Sequence, residues 1–151
     1  MSTLTVPSDV QTSLQTGAVQ EALAGTIRHF GCQAGTLHIL RDGVLKLAAS
    51  HGIPPHIAQI VETVPIGKGI AGLAAERRAP VNICNLQTDT SGQARPAAKG
   101  TGMEGSLAVP MLVDGELRGV LGIAKAEAHD WTQEETDQVL AVAAAFGQHV
   151  S

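Results

Sequence analysis

The fold is decided by the run PIGKGIAGLAAERRAPVNICNL, residues 65–86. Gly67 and Gly69 allow a tight turn, and the apolar residues after them recur at helical spacing, so the run predicts a loop and then a short helix. Pro80 ends that helix, and the alternation that follows it is typical of a strand. The free N–H groups at the start of such a helix favour an anion. The Gly-Lys-Gly sequence lacks the spacing and the hydroxyl residue of a nucleotide phosphate loop, so we do not expect nucleotide hydrolysis.

Two Asp-Gly pairs, one on each side of this run, mark β-hairpins. Asp42-Gly43 and Asp114-Gly115 each lie between two apolar stretches, which is the strongest short-range signal for a hairpin. The four predicted strands are residues 35–41, 44–50, 105–113 and 117–126. Together with the strand after Pro80 they predict an antiparallel sheet of five or six strands.

The first helix is expected to be long and continuous. Ser8 and Gln11 have the spacing of a capping box, and apolar residues follow at helical steps as far as Gly31. Gly17 within it lowers its intrinsic stability, so the helix should depend on packing. A second, short helical turn is predicted after Pro54-Pro55.

The closing helix has a capping box at Thr132 and Glu135, preceded by Trp131. Its apolar residues form a narrow stripe that can pair with the first helix or with a second subunit. The stripe consists of Val139, Ala143, Phe146 and Val150. From it we predict a homodimer through the terminal helices.

Length and composition indicate one globular domain over residues 1–151, with residues 1–8 flexible, since 44% of the residues are hydrophobic. The net charge of −4 opposes binding to nucleic acid or to an anionic membrane. No apolar run is long enough to span a bilayer, and residues 1–7 do not resemble a secretion signal. We therefore expect a cytoplasmic protein that binds neither nucleic acid nor a membrane.

The positive charges are concentrated around the deciding run. Between residues 65 and 102 five cations face two carboxylates, which leaves the rest of the chain strongly negative. This distribution indicates either a solvated surface or a pocket that attracts anions, and both interpretations stay open. The five cations are Lys68, Arg77, Arg78, Arg95 and Lys99.

The segment 85–105 is rich in turn-forming residues and lacks apolar periodicity, so it predicts a long loop. Loops of this length within compact domains are uncommon unless they are functional or disordered. We expect it to form the roof of a binding pocket.

Candidate catalytic groups are sparse. Cys32 and Cys84 have no metal-ligand partners at short spacing, and we predict that both are buried and idle. The six histidines show no metal-ligand spacing, and His38 is expected to be a surface or satisfied core histidine rather than a ligand. No Gly-x-Ser-x-Gly elbow is present. The sequence therefore predicts neither a metal nor another cofactor.

Four motifs together resemble the GAF domain, a sensory ligand-binding module, over roughly residues 10–150. They are the runs 66–72 (IGKGIAG), 80–81 (PV), 106–111 (SLAVPM) and 119–123 (GVLGI). The resemblance implies an α+β fold in which a central antiparallel sheet carries the terminal helices on one face and a ligand pocket on the other. Since one fold hosts many functions, the resemblance is specific for the fold rather than for the ligand.

The resemblance implies a sensor for a small polar or anionic ligand, with nitrate as the first candidate because stand-alone GAF proteins that sense nitrate look similar. Such a sensor would signal to a histidine kinase or another signalling protein. The predicted ligand-binding residues are Gly67, Lys68, Gly69, Ile70, Ala71, Leu86, Arg95, Pro96, Lys99, Thr101, Gly102 and Met103.

An enzymatic alternative comes from the same family, since some small GAF proteins are free methionine-R-sulfoxide reductases. Their cysteines would correspond to positions near Lys99 and at Ile70, and neither is cysteine here. Cys84 would have to act alone, so this alternative is disfavoured.

Overall fold

The computed structural model describes residues 6–91, 93 and 100–150. The fold is α+β, as the sequence predicted, and its strands form one antiparallel sheet in the order β3-β2-β1-β6-β5-β4. The helices are α1 Ser8–Gln15, α2 Val19–His29, α3 Pro55–Ile60, α4 Gly69–Arg77 and α5 Gln133–His149. The strands are β1 Ala34–Arg41, β2 Val44–His51, β3 Thr63–Pro65, β4 Val81–Ile83, β5 Gly105–Val113 and β6 Glu116–Lys125.

Both predicted hairpins are confirmed. Asp42 and Gly43 have φ angles of 53° and 79°, and Asp114 and Gly115 have angles of 51° and 80°. Two successive residues in the left-handed region form the tight turn whose twist matches that of the paired strands. Strand β3 was not identified from the sequence because three residues are too few to show a period.

The prediction of one continuous first helix is wrong. Gly17 adopts a φ of 79° between α1 and α2, which breaks the helical path at the residue that tolerates this conformation best. The predicted capping box at Ser8 is also wrong, because the helix starts one residue earlier. Pro7 is the N-cap and has no side-chain cap, and its carbonyl accepts a hydrogen bond from the Gln11 N–H at 3.0 Å.

The start of α5 is as predicted. The Thr132 hydroxyl accepts a hydrogen bond from the Glu135 N–H, and the Glu135 carboxylate accepts one from the Thr132 N–H, so the capping box is complete. The apolar stripe on α5 is buried within the domain itself rather than left free for a partner. Its residues Val139, Ala143, Phe146 and Val150 all belong to one hydrophobic cluster with the sheet.

The sheet separates two hydrophobic cores. Helices α1, α2 and α5 cover one face, where they pack on large strand residues such as Leu37 and Leu107. Helix α4 covers part of the other face, against Ala108 and Val120. The layering predicted for the terminal helices is therefore confirmed. Of the helices in the described part of the chain, none is long and apolar enough to cross a membrane.

Candidate ligand-binding site

A cavity of about 140 Å³ lies on the α4 side of the sheet. Its floor is built from two rows of small residues that run across β1, β6 and β5, as the strand register shows. Because these side chains are short, the sheet leaves room where a row of larger residues would fill the space. The two rows are Thr36, Gly122 and Ala108, and Ala34, Ala124 and Ser106.

Large residues occupy the alternate positions of the same strands. Leu37, Leu107 and Leu121 are fully buried in the core beneath the terminal helices. Successive side chains of a strand point to opposite faces, so these strands place bulk on one face and space on the other. The cavity is thus encoded in an alternation of large and small residues.

The walls of the cavity are mostly aliphatic. They come from the segment around α3, from β3, and from both ends of the long segment between β4 and β5. The wall residues are Ile53, Ile57, Val61, Val64, Leu86, Thr101 and Met103.

The amino end of α4 opens onto the cavity. Lys68, Gly69, Ile70 and Ala71 all line it, and Lys68 is an N-cap that makes no side-chain capping hydrogen bond. No described group accepts a hydrogen bond from the N–H of Gly69, Ile70 or Ala71. These three donors carry the positive end of the helix dipole, so this end of the cavity suits an acceptor or an anion.

Gly67 shapes this end without lining the cavity. Its N–H donates to the Gly72 carbonyl at 2.8 Å, and the Lys68 N–H donates to the Pro65 carbonyl at 3.2 Å. Gly67 has a φ of 88°, in the region that favours glycine. Gly67, the first glycine of the run 65–86, therefore stabilises the loop that precedes the amino end of α4.

His38 is buried, with 2% of its surface exposed, and it lines the cavity. Its Nε2 lies 2.8 Å from the carbonyl oxygen of Val61, while its Nδ1 is buried and has no partner among the described residues. Burial lowers the pKa of the imidazole, and the hydrogen bond to Val61 opposes that effect only in part. His38 is thus a neutral core histidine with one unsatisfied nitrogen, in place of the surface or fully satisfied residue that was expected.

The predicted site residues separate into three groups. Seven of them line the cavity: Lys68, Gly69, Ile70, Ala71, Leu86, Thr101 and Met103. Gly67 and Gly102 are not among the lining residues, and Arg95, Pro96 and Lys99 lie outside the described residues. The floor and His38 were missed, although the large-and-small alternation of the strands was a signal that could have found them.

Two of the clustered cations point away from the cavity. Arg77 donates to the Gln93 side chain at 3.2 Å, and Arg78 donates to the Gly115 carbonyl at 2.8 Å. Within residues 6–91, 93 and 100–150, Lys68 is the one cationic side chain that lines the cavity.

The two thiols lie in different environments, and neither lines the cavity. Cys32 is buried as predicted, and burial raises its pKa to about 11 despite the nearby Lys125. The prediction that Cys84 is buried is wrong, because it follows the last residue of β4 and is exposed where the chain leaves the sheet. A hydrogen bond with Asp130 raises the pKa of the Cys84 thiol. Among the described residues no three His, Cys, Asp or Glu side chains could together hold a metal ion.

Several solved structures share this architecture. A protein described as a GAF sensor from Burkholderia vietnamiensis superposes with a TM-score of 0.77 at 16% identity, over 95% of this chain and 89% of that one. A type II free methionine-R-sulfoxide reductase from Thermoplasma acidophilum gives 0.73 at 18% identity, over 93% and 94%. A domain of a two-component sensor histidine kinase protein from Sinorhizobium meliloti gives 0.69 at 18% identity, over 87% and 88%.

These identities are low, so the structural likeness shows the fold alone. No curated protein sequence matches the chain. The sequence profile of the GAF domain, however, matches residues 14–151, which is nearly the whole chain. The chain therefore belongs to the GAF domain family.

Proposed function

We propose that this chain is a sensory domain that binds a small ligand in the cavity between β1, β5, β6 and the amino end of α4. GAF domains are in general sensory domains for small molecules, and similar structures come from sensor proteins. The observation that carries the proposal is the floor of small residues, which keeps open a cavity of about 140 Å³. A sheet that served only as a scaffold would be expected to fill this space, since protein interiors are close-packed.

We propose a small polar or anionic ligand, with nitrate as the first candidate. The unpaired N–H groups of Gly69, Ile70 and Ala71 and the ammonium group of Lys68 support an oxyanion at this end. A hydrogen bond with one charged partner contributes about 1.5–3 kcal/mol, so two or three such bonds can hold a small anion with micromolar to millimolar affinity. Participation of Arg95 and Lys99 stays a prediction.

Calorimetry with nitrate, nitrite, phosphate and small carboxylates tests the proposal. Ala124→Leu serves as the cavity-filling variant, because the neighbours of Ala124 across the strands are Ala34 and Ser106 and a leucine there can occupy the free space. We expect it to abolish binding. Ala48→Leu, at an exposed position of β2, is the matched control and should bind as the parent chain does.

The anion-sensor proposal fails if none of these anions binds with a dissociation constant below about 10 mM. That limit is weaker than a millimolar complex, whose binding free energy is about 4 kcal/mol. Equal binding by the Ala124→Leu variant would show that an anion binds elsewhere on the protein.

A reductase acting on free methionine sulfoxide is the second candidate, supported by the similar fold of the Thermoplasma acidophilum enzyme. The thiols oppose it, because neither lines the cavity and both have raised pKa values, which disfavour the reactive thiolate. We expect no turnover of free methionine sulfoxide. Turnover that is lost in Cys84→Ser would establish the enzyme instead.

We further propose that the domain signals to a histidine kinase or another signalling protein, and that it forms a homodimer through its terminal helices. The apolar stripe that first suggested the dimer is buried within the domain. Contact would have to use the partly exposed side of α5, where Leu140, Ala141 and Ala144 lie. Light scattering at micromolar protein concentration tests this, and a monomer mass would count against it.

A further inference from the structure

The floor of the cavity carries a hydroxyl group that the fold itself does not use, namely that of Thr36 on β1. We infer that this hydroxyl binds the ligand and donates a hydrogen bond to one of its oxygen atoms. The inference rests on the proposed function, because it assigns a binding residue to the same cavity. It gives a floor residue a role in recognition as well as in leaving space.

The alternation along β1 directs the Thr36 side chain onto the cavity face. Strand β1 lies inside the sheet, between β2 and β6. The next residue, Leu37, is buried in the core beneath the terminal helices, and successive side chains of a strand point to opposite faces. Thr36 is partly exposed and lines the cavity, so its exposed part is on the cavity side of the sheet.

The neighbouring strand shows where the oxygen atom lies. Thr36 is paired with Gly122 of β6. A Cβ at Gly122 would lie 3.1 Å from Thr36 Oγ1, so this oxygen lies over the bare backbone of Gly122. A side chain at position 122 would cover the oxygen, whereas glycine leaves it open. The hydroxyl is therefore presented to the cavity between β1 and β6.

This hydroxyl is free within the part of the chain that the structure describes. It makes no hydrogen bond with another described residue, and its oxygen is accessible, in contrast to the fully buried Nδ1 atom of His38. A hydroxyl has one donor and two acceptor sites, and one that solvent can reach binds water. A ligand oxygen can replace that water without breaking a bond inside the protein.

The amino end of α4 lies on the same side of the cavity as β1. Helix α4 leads from β3 to β4, which are the two edge strands of the sheet, so its amino end is the end nearer to β3, β2 and β1. An oxyanion at this point can accept hydrogen bonds from α4 and from Thr36. Such bonds to a charged acceptor are stronger than bonds between neutral groups.

Ser106 on β5 provides a matched comparison. Its hydroxyl also lines the cavity and makes no hydrogen bond with a described residue. It is paired with Ala124 of β6, which carries a methyl group where the partner of Thr36 has none. Because β6 separates β1 from β5, Thr36 and Ser106 are at least two strand spacings apart, about 9–10 Å. An anion as small as nitrate that binds Thr36 does not reach Ser106.

Removal of each hydroxyl tests the inference. Nitrate, nitrite, phosphate and acetate are titrated by calorimetry into the parent chain, Thr36→Val, Thr36→Ser and Ser106→Ala. For the anion that binds the parent chain, Thr36→Val should weaken the affinity by about 10- to 100-fold, the range for one hydrogen bond to a charged group. Thr36→Ser keeps the hydroxyl and should retain most of the affinity. Ser106→Ala should bind as the parent chain does.

The melting temperature of the ligand-free variants gives a second measurement. Valine has nearly the shape of threonine, and the Thr36 hydroxyl has no partner among the described residues. We therefore expect Thr36→Val to melt at or above the temperature of the parent chain. A clear loss of stability would show that the hydroxyl stabilises the fold instead, and it would overturn the inference.

The binding results decide the inference separately from the proposed function. An anion that binds Thr36→Val as tightly as the parent chain would overturn the inference while the proposed function stands. Equal losses in Thr36→Val and Ser106→Ala would also overturn it, because they would reflect the polarity of the whole floor. A loss in Thr36→Ser as large as that in Thr36→Val would assign the effect to side-chain shape and would overturn it as well. If none of the anions binds the parent chain, the inference and the anion-sensor proposal fail together.

Discussion

The two cysteines should differ strongly in their reaction with a thiol-specific disulfide reagent. Burial raises the pKa of Cys32 from the ordinary thiol value of 9.0 to about 11. At neutral pH its thiolate fraction is therefore about 100-fold smaller than that of an ordinary cysteine. A more basic thiolate is also a better nucleophile, which recovers somewhat less than half of that factor on a logarithmic scale and leaves a deficit of about 10-fold.

Burial slows Cys32 further, because the reagent reaches this thiol only when the core beneath α2 opens. Cys84 is exposed, so only its own raised pKa slows it. We expect one thiol to be labelled quickly in the native protein and the second only after denaturation. Because the pKa of Cys84 is raised as well, ionisation alone makes the rates of the two thiols differ by less than about 10-fold, and the burial of Cys32 should make the measured difference larger than that.

The assay is stopped-flow absorbance at pH 7.5, with mass spectrometry to locate the label. Cys84→Ser should remove the fast phase. Asp130→Asn should accelerate labelling of Cys84, because loss of the neighbouring carboxylate lowers the pKa of the thiol. Two fast phases of equal rate, or a fast phase located on Cys32, would refute the assignment of burial and ionisation.

Three further predictions concern stability. Thr132→Ala should lower the free energy of unfolding by about 1 kcal/mol, or Tm by about 2–4 °C, because it removes the side-chain cap of α5. Thr132→Ser keeps a capping hydroxyl and should be nearly neutral. Urea unfolding of both variants measures the difference. Gly119→Ala should destabilise by more than about 2 kcal/mol, since a Cβ at this position would overlap the carbonyl of His38; an unchanged midpoint in the same assay would contradict it. Burial raises the pKa of Glu135, but hydrogen bonds from Thr132 and His129 outweigh burial, so the pKa in the folded protein is lowered. The contribution of Glu135 to stability is therefore present above the unfolded pKa of about 4.3 and is lost as the pH falls through the lower folded pKa. Glu135→Gln should flatten that part of the stability–pH profile.

The elements that the sequence predicted well are those with strong local signals. The Asp42-Gly43 and Asp114-Gly115 turns and the capping box at Thr132 depend on residues close together in the chain, and all three form as expected. The break at Gly17 was missed because the apolar spacing continues across it. Periodicity indicates which face of a helix is buried. Because α1 and α2 bury their apolar residues in the same core, the pattern continues across the break.

The cavity was only half predictable for a related reason. The amino end of α4 lies in one continuous run, so its role could be inferred from local sequence. The floor combines residues from β1, β5 and β6 that meet only through strand register, as Thr36, Gly122 and Ala108 do. The hydrogen bond of the His38 ring is made with the Val61 carbonyl, 23 residues away in the chain. No local sequence pattern predicts such a contact. The exposure of Cys84 likewise depends on where the chain leaves the sheet.

The alternation of small and large residues along β5 has a thermodynamic consequence. Ala108 borders the cavity, and its neighbours Leu107 and Val109 lie in the core that contains Phe146 of α5, so a single layer of backbone separates the cavity from the closing helix. If a ligand stiffens this strand, the amide hydrogens of α5 should exchange more slowly with solvent in the bound state. Thermodynamic linkage then requires that a partner protein which binds and stabilises α5 raise the affinity of the cavity for its ligand. The ligand must raise the affinity for the partner by the same factor.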